Sequence, residues 1–153
     1  MYPDLIELLS VLNAHGVKYL VVGAYAVSIY AQPRATKDLD ILIKPDAKNA
    51  KAVYAALVEF DAPPGDLTFE DFAQQGPFFQ MGRAPIAADI LTEIPGVDFD
   101  SAWDRRVENI IDPASGSKAS FICRADLIAA KRASGRIQDL ADVEAIRKAE
   151  EGQ

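Results

Sequence analysis

Cysteine and histidine are scarce in this sequence of 153 residues, which contains only Cys123 and His15. A single cysteine excludes an intramolecular disulfide and suits a reducing compartment. We expect Cys123 to be a structural thiol, because unpaired cysteines usually pack as small apolar residues. His15 falls at the end of a predicted helix, and we expect a structural role for it as well.

The sequence also lacks the segments that direct a chain into or across a membrane. No apolar run approaches the roughly 20 residues that span a bilayer. The first residues, MYPDLIELLSVLNAHG, carry early acids and have neither a basic start nor a cleavage site, so they are not typical of a signal peptide. We therefore expect a cytoplasmic protein without membrane contact.

Positive charge is in deficit, with a formal net charge of −7. Indiscriminate nucleic-acid binding needs a basic surface and is disfavoured. One segment, residues 105–136, has seven basic and three acidic residues, a local charge of +4. This segment either favours an anionic partner such as tRNA or is ordinary scatter of surface charge. Its basic residues are Arg105, Arg106, Lys118, Arg124, Lys131, Arg132 and Arg136.

The composition is that of one globular domain, which we expect to span residues 1–153. Half of the residues are apolar and a quarter are charged, which allows a buried core and a soluble surface. Helices are predicted at 3–14, 24–31, 46–60, near Trp103, and at 125–134 and 136–149; strands are predicted at 18–22, 38–43, 77–81, 86–91, 107–111 and 119–122. Because strands and helices are intermixed, the predicted class is α+β, or mixed α/β, around one sheet.

Two acids begin an apolar strand in the segment Asp38-Leu39-Asp40-Ile41-Leu42-Ile43. Strand side chains alternate between faces, so Asp38 and Asp40 should project from the same face, about 7 Å apart. Two neighbouring carboxylates repel each other and favour a cation between them. Oxygen ligands suit a hard divalent ion, above all Mg²⁺. The alternative is that these acids only cap or flank the strand.

A third acid, Asp89, is isolated within the strand-like run Ile86-Ala87-Ala88-Asp89-Ile90-Leu91. On a neighbouring strand it would face the same site as the first two. Three carboxylates can hold two metal ions about 3.5–4 Å apart, an arrangement used for in-line phosphoryl or nucleotidyl displacement. A strand-end aspartate bonded to backbone is the alternative.

The dipeptide Gly23-Ala24 ends a predicted strand and begins a helix. Free backbone N–H groups and the positive end of the helix dipole can receive a phosphate there. The missing side chain of Gly23 would let phosphates approach the backbone closely. A simple turn glycine is the alternative.

These segments together resemble the DNA polymerase beta-like nucleotidyltransferase superfamily. The pattern of that superfamily is an apolar residue followed by Gly and then Gly or Ser, an apolar-flanked Asp-x-Asp, and a later strand acid. Val22-Gly23-Ala24, Asp38-Leu39-Asp40-Ile41 and Ala88-Asp89-Ile90 occupy these positions. The resemblance implies a mixed sheet flanked by helices, with C-terminal helices, two Mg²⁺ ions as cofactors and an NTP as substrate.

A closer resemblance is to the small bacterial branch that includes the nucleotidyltransferase toxins of toxin–antitoxin systems, which would imply an antitoxin partner. It covers about residues 15–145. The matching segments are Tyr19-Leu20-Val21-Val22-Gly23, Arg34-Ala35-Thr36-Lys37-Asp38, and a later set comprising Asp126-Leu127-Ile128, Lys131, Arg136 and Asp139-Leu140.

The resemblance implies a role for each matching side chain of the catalytic group. Asp38, Asp40 and Asp89 would hold the metal ions, with Asp40 and Asp89 positioning the catalytic ion. Lys131 would be the cationic partner of a phosphate, and Asp139 would orient Lys131 or the acceptor. The alternatives are a solvated helix charge for Lys131 and an N-terminal helix charge for Asp139.

The resemblance also places nucleotide-binding residues around the first helix of the site. Gly23, Ala24 and Arg34 would approach the phosphates, and Thr36 would shape the loop before the strand. Arg136 has no assigned role. Ala24 departs from the Gly or Ser of the superfamily and offers no hydroxyl to the triphosphate, which weakens nucleotide binding without excluding it.

Three functional hypotheses follow. The first is a Mg²⁺-dependent enzyme that transfers a nucleoside monophosphate from an NTP to a hydroxyl of RNA, a protein or a small molecule. The second, motivated by Ala24, is a catalytically degenerate module that binds a nucleotide or a partner. The third is a structural domain whose acids only cap strands.

Overall fold

A computed structural model describes residues 1–32, 38–62, 64–83 and 86–152. Its helices are α1 (Pro3–Ala14), α2 (Gly23–Tyr30), α3 (Ala47–Glu59), α4 (Phe99–Asp104), α5 (Arg124–Ser134) and α6 (Ile137–Glu151). Its strands are β1 (Tyr19–Val22), β2 (Asp38–Ile43), β3 (Phe78–Arg83), β4 (Ile86–Leu91), β5 (Val107–Asp112) and β6 (Ser117–Phe121), and Phe69–Ala73 form a short 3-10 helix. The mixed α/β class predicted from the sequence is confirmed.

The strands form one six-stranded sheet in the order β3-β4-β2-β1-β6-β5. Strand β2 runs antiparallel to β1 and parallel to β4, whereas β1 is parallel to β6. All four residues of β1 are buried, so both faces of the sheet are covered at its centre. This mixed sheet brings β2 and β4, which are far apart in the sequence, next to each other.

Helices pack on the sheet in two groups. Helices α1 and α3 contact each other, while α2, α5 and α6 make mutual contacts. The buried side of α1 is a leucine stripe at helical spacing, comprising Leu5, Leu8, Leu9 and Leu12. Asp46 caps the N-terminus of helix α3, because its side chain accepts a 2.7 Å hydrogen bond from the Asn49 backbone N–H.

The structure corrects several boundaries that the sequence predicted. Strand β3 continues to Arg83, where a turn was expected to begin at Gly82, because its backbone pairs with β4 over the whole length. Strand β6 spans Ser117–Phe121 and so begins earlier than the predicted strand at 119–122. Residues 69–73, left unassigned from sequence, are the 3-10 helix, which a capping box between Thr68 and Asp71 stabilises.

Some predictions remain outside the described part of the chain. Arg34 and Thr36, expected near the phosphates, lie outside the described residues. Within the described ranges, no helix combines the length and the apolar character needed to cross a bilayer.

Candidate active site

The three aspartates predicted as metal ligands lie on two adjacent parallel strands. In the register of β2 and β4, Asp40 is directly opposite Asp89, and Asp38 is opposite Ala87. Leu39 and Ile41 are fully buried on the other face, whereas Asp38 is exposed and Asp40 is partly exposed. Alternation along paired strands therefore places the three carboxylates on one face of the sheet. The side chains of Asp40 and Asp89 are close enough to shift each other's pKa.

Gly23 begins α2 immediately beside Asp40. Val22 pairs with Asp40 across β1 and β2, and the chain turns into the helix at the next residue. Gly23 has a φ of +68°, and a Cβ built there would lie 2.3 Å from Asp40 Oδ2. A glycine is therefore required both by the backbone conformation and by the approach of the carboxylate.

Burial and neighbouring negative charges raise the pKa values of the two facing carboxyls. Burial, followed by the negative charge and hydrogen bond of Asp89, raises the pKa of Asp40 to about 6, with Lys131 opposing the shift. The pKa of Asp89 is also raised, first by burial and then by the charge of Asp38. Raised carboxyl pKa values in a cleft are typical of functional sites.

One oxygen of the carboxylate pair has no partner. Asp89 Oδ1 is shielded from solvent and accepts no hydrogen bond. Gln80, on the neighbouring strand β3 and opposite Asp89 in register, donates a hydrogen bond to this carboxylate and lowers its pKa. A buried oxygen without a donor is costly and suits a cation ligand. Among the described residues, however, no three His, Cys, Asp or Glu side chains already form a metal-binding group.

A buried cation faces the carboxylates from α5. Lys131 is 8% exposed, and its Nζ lies 3.2 Å from Asp139 Oδ1 and 3.0 Å from Asp142 Oδ2. Gln138 Nε2 donates a 2.9 Å hydrogen bond to the second oxygen of Asp142. The lysine is therefore held in one position by two carboxylates of α6.

Arg136 anchors the same network at the start of α6. Its Nε donates a 2.7 Å hydrogen bond to Asp139 Oδ2, although most of the arginine side chain is exposed. This hydrogen bond is the main cause of the lowered pKa of Asp139, ahead of the contribution from Lys131. Asp139 thus pairs with Lys131 and also belongs to the capping box at the start of α6, while its predicted part in the site stays a prediction.

These residues line a cleft with two lobes. We call one the polar lobe; it has a volume of about 330 Å³ and is lined by Gly23, Ala24, Asp38, Asp40, Lys131, Arg136, Gln138 and Asp139. We call the other the apolar lobe; it has a volume of about 310 Å³ and adds Val22, Leu91, Ile94, Pro95, Leu127, Ala130 and Ser134 to five residues of the polar lobe. Asp40, Lys131 and Arg136 stand where the lobes meet.

The structure therefore brings most of the predicted site residues together. Asp38, Asp40 and Ala24 lie with Lys131 and Asp139 around the polar lobe. Sequence reasoning missed Gln80, Gln138 and Asp142, which hold Asp89 and Lys131 in place. The spacing of Asp139 and Asp142, three residues apart in a helix, was the available signal for a shared partner.

Solved structures with the same fold have low sequence identity to the chain. The lincosamide antibiotic adenylyltransferase LnuA, in its lincomycin-bound crystal structure, has a TM-score of 0.59 and 14% identity, covering 97% of this chain and 98% of LnuA. A candidate nucleotidyltransferase, TM1012 of Thermotoga maritima, has a TM-score of 0.54 and 15% identity, covering 97% and 91%. An antigenic nucleotidyltransferase-like protein of Paracoccidioides brasiliensis has a TM-score of 0.54 and 16% identity, covering 94% and 74%.

No curated protein matches the chain. The model of one protein family, described as nucleotidyltransferase of unknown function (DUF6036), matches residues 3–149. The resemblance to nucleotidyltransferases is thereby confirmed, whereas the toxin–antitoxin branch stays a prediction. The chain belongs to this family of nucleotidyltransferases of unknown function.

Proposed function

We propose that the protein transfers a nucleoside monophosphate from an NTP to an acceptor hydroxyl with the help of Mg²⁺. The observation that carries this proposal is the pairing of Asp40 with Asp89 across β2 and β4, directly beside the start of α2 at Gly23. Metal-binding oxygens and a phosphate-binding helix N-terminus are the two requirements of nucleotidyl transfer, and here they adjoin.

The donor set fits Mg²⁺. Asp38, Asp40 and Asp89 offer only oxygen ligands, which a hard divalent ion prefers. Asp89 Oδ1 has no hydrogen-bond partner, and the pKa of Asp40 is raised in part by the negative charge of Asp89. A cation bound between the two carboxylates would offset their repulsion. When bound, two Mg²⁺ ions would activate the acceptor hydroxyl and neutralise the triphosphate.

The chain itself would bind and orient the nucleotide. The backbone N–H groups at Gly23 and Ala24 would receive phosphate oxygens, and Lys131 and Arg136 would balance their charge. The acceptor oxygen forms a bond to the α-phosphorus, the bond from that phosphorus to the bridging oxygen of the β-phosphate breaks, pyrophosphate leaves, and the hydroxyl proton passes to solvent. LnuA, an adenylyltransferase of similar length and fold, supports this reaction class.

Mg²⁺-dependent transfer of label from α-³²P-labelled NTPs to a panel of RNA, protein and small-molecule acceptors tests the proposal. We expect Asp40→Ala to reduce transfer by about 10³-fold or more, because it removes a carboxylate that would hold Mg²⁺. Asp104→Asn, an exposed acid at the end of α4, is the matched control and should retain wild-type activity. Equal labelling by Asp40→Ala and wild type would overturn the metal assignment.

Ala24 supports a second candidate, a module that binds a nucleotide without turnover. It lines the polar lobe where the superfamily has Gly or Ser, so the hydroxyl that would hold a triphosphate is missing. Calorimetry with Mg²⁺ and ATP separates the candidates: heat of binding without any labelled product favours the module, and no heat at all favours a purely structural domain. A toxin role with an antitoxin partner remains a proposal drawn from the resemblance.

A further inference from the structure

The two lobes of the cleft differ in chemistry although they share Gly23, Asp40, Lys131, Arg136 and Asp139. The polar lobe alone includes Ala24, Asp38 and Gln138. The residues found only in the apolar lobe come from the ends of β1 and β4, the loop after β4 and α5, and six of these seven are aliphatic or proline. They are Val22, Leu91, Ile94, Pro95, Leu127, Ala130 and Ser134.

The in-line geometry of nucleotidyl transfer assigns different occupants to the two lobes. The leaving pyrophosphate and the attacking hydroxyl must lie on opposite sides of the α-phosphorus. Phosphates belong in the polar lobe, because Ala24 in the first turn of α2 lines this lobe alone, whereas Gly23 lines both. The acceptor therefore enters from the other side of Asp40, toward β4, where Asp89 and the apolar lobe lie.

The basic segment 105–136 is not a row of unpaired charges, because five of its seven basic side chains pair with acids or lie over aromatic rings of the protein. Arg105 pairs with Asp126 at 2.8 Å, and the Arg106 guanidinium stacks 3.8 Å from the centre of the Trp103 ring. Further members are engaged in the same way: Arg124 lies over Tyr30, and Lys131 and Arg136 hold Asp139. An RNA acceptor would need such charges directed outward as a phosphate-binding surface.

Resting on the proposed function, we infer that the apolar lobe is the acceptor site and that the acceptor is a small uncharged molecule with a hydroxyl group on an apolar body. A volume of about 310 Å³ lies at the lower end of small-molecule sites. In the reaction the acceptor hydroxyl oxygen bonds to the α-phosphorus, pyrophosphate leaves, and the hydroxyl proton is released to solvent. The product is a nucleoside monophosphate ester of that small molecule.

Methyl and amide NMR of the full chain, with Mg²⁺ and a non-hydrolysable ATP analogue, tests this inference with hexyl β-D-glucoside as the probe. The probe joins neutral hydroxyl groups to a short apolar chain. We expect its shifts to be confined to Leu91, Ile94, Leu127 and Ala130. Ala130→Leu should weaken probe binding about tenfold by filling the lobe. Ala125→Leu places the same side chain on the exposed side of α5 and should leave the affinity unchanged.

Several outcomes would overturn the inference. They are probe shifts outside the apolar lobe, equal affinity in Ala130→Leu and Ala125→Leu, and labelling of bulk tRNA by wild-type protein with α-³²P-labelled ATP. If Ala130→Leu does not fold, as judged by circular dichroism, Ile94→Ala removes an apolar wall instead and should also weaken probe binding.

The same samples separate this inference from the proposed function. Shifts of the Gly23 and Ala24 amides on adding Mg²⁺ and the ATP analogue report nucleotide binding independently of the probe. Their absence would overturn the proposed function. Their presence without lobe shifts would overturn only the acceptor assignment.

Discussion

At the scale of single residues, the site depends on a glycine that makes room for a carboxylate. Glycine is favoured at position 23 for two reasons. Its φ of +68° is a conformation that other residues rarely adopt, and its missing Cβ leaves space for Asp40 Oδ2. The sequence indicated the first need through the position of this glycine between strand and helix. It gave no indication of the second, because the contact arises only when β1 and β2 pair.

Gly23→Ala should reduce nucleotidyl transfer by about 10²-fold, because the new methyl group would push Asp40 out of position. Gly16→Ala is the matched control: its φ of +67° is nearly the same, and a Cβ there meets nothing within 4 Å. The control should lose only about 1–2 kcal/mol of unfolding free energy through backbone strain. Transfer assays and urea unfolding of both variants provide the measurement, and equal activity in the two would contradict a role for the contact.

Single residues also mark the limit of prediction from sequence. Asp89 was predicted correctly as a neighbour of Asp40, because an isolated acid in an apolar strand is unusual enough to require an explanation. Asp142 was missed, since an acid in an amphipathic helix normally faces water. Its burial becomes evident only when α5 places Lys131 3.0 Å away.

At the scale of elements, the turn between α5 and α6 organises the cationic side of the cleft. Helix α5 ends at Gly135, which has a φ of +66°, and α6 begins within two residues. This tight turn lets Lys131 of one helix reach Asp139 and Asp142 of the next. The helices and the glycine between them were predicted from sequence, but the inward direction of the charges was not, because it depends on how α6 packs against α2 and α5.

Asp139→Asn should lower the free energy of unfolding by about 1–3 kcal/mol at pH 7, because it weakens charge-assisted hydrogen bonds at a buried position. The sign of the pH dependence follows from the lowered pKa of Asp139. Its carboxylate stabilises the fold above the ordinary aspartate pKa, and this contribution is lost as the pH falls through the lowered value. Wild type and variant should therefore converge in stability as the pH falls below the ordinary aspartate pKa and through the lowered one.

Urea unfolding between pH 3 and pH 8 measures this difference. Glu144→Gln is the control on the same helix, since its carboxylate lies 3.9 Å from Lys148 and both side chains are mostly exposed. We expect this control to change stability by less than about 0.5 kcal/mol. If the difference in unfolding free energy between Asp139→Asn and wild type stays constant across this pH range, the electrostatic explanation is wrong.

At the scale of the whole molecule, the sheet supplies acids and the helices supply cations, and a nucleotide with Mg²⁺ would join them. The acids Asp40 and Asp89 repel each other across β2 and β4, while Lys131 and Arg136 stand opposite on α5 and α6. The sequence predicted Asp40, Asp89 and Lys131 as site residues but assigned no role to Arg136. The cleft between them follows from the strand order β3-β4-β2-β1-β6-β5, which local patterns do not specify.

Binding of Mg²⁺ and a non-hydrolysable ATP analogue together should raise the melting temperature by about 5–10 °C. A ligand at 100 times its Kd stabilises a folded protein by about 2.7 kcal/mol, and in a chain of this size each kcal/mol raises the melting temperature by about 2–4 °C. Either ligand alone should give a smaller shift, because Mg²⁺ would attract the carboxylates and the phosphates at the same time. Differential scanning fluorimetry measures the effect, and EDTA should reverse it.

Variants on the sheet decide whether this stabilisation arises at the proposed site. Asp89→Asn keeps the shape of the side chain but removes a ligand charge, so most of the combined shift should disappear. Asp104→Asn removes the same charge from an exposed position on α4 and should keep the full shift. This pair of variants controls for the loss of one negative charge from a protein of net charge −7. An undiminished shift in Asp89→Asn would mean that the nucleotide and metal bind elsewhere, and the carboxylate pair would then have no part in binding.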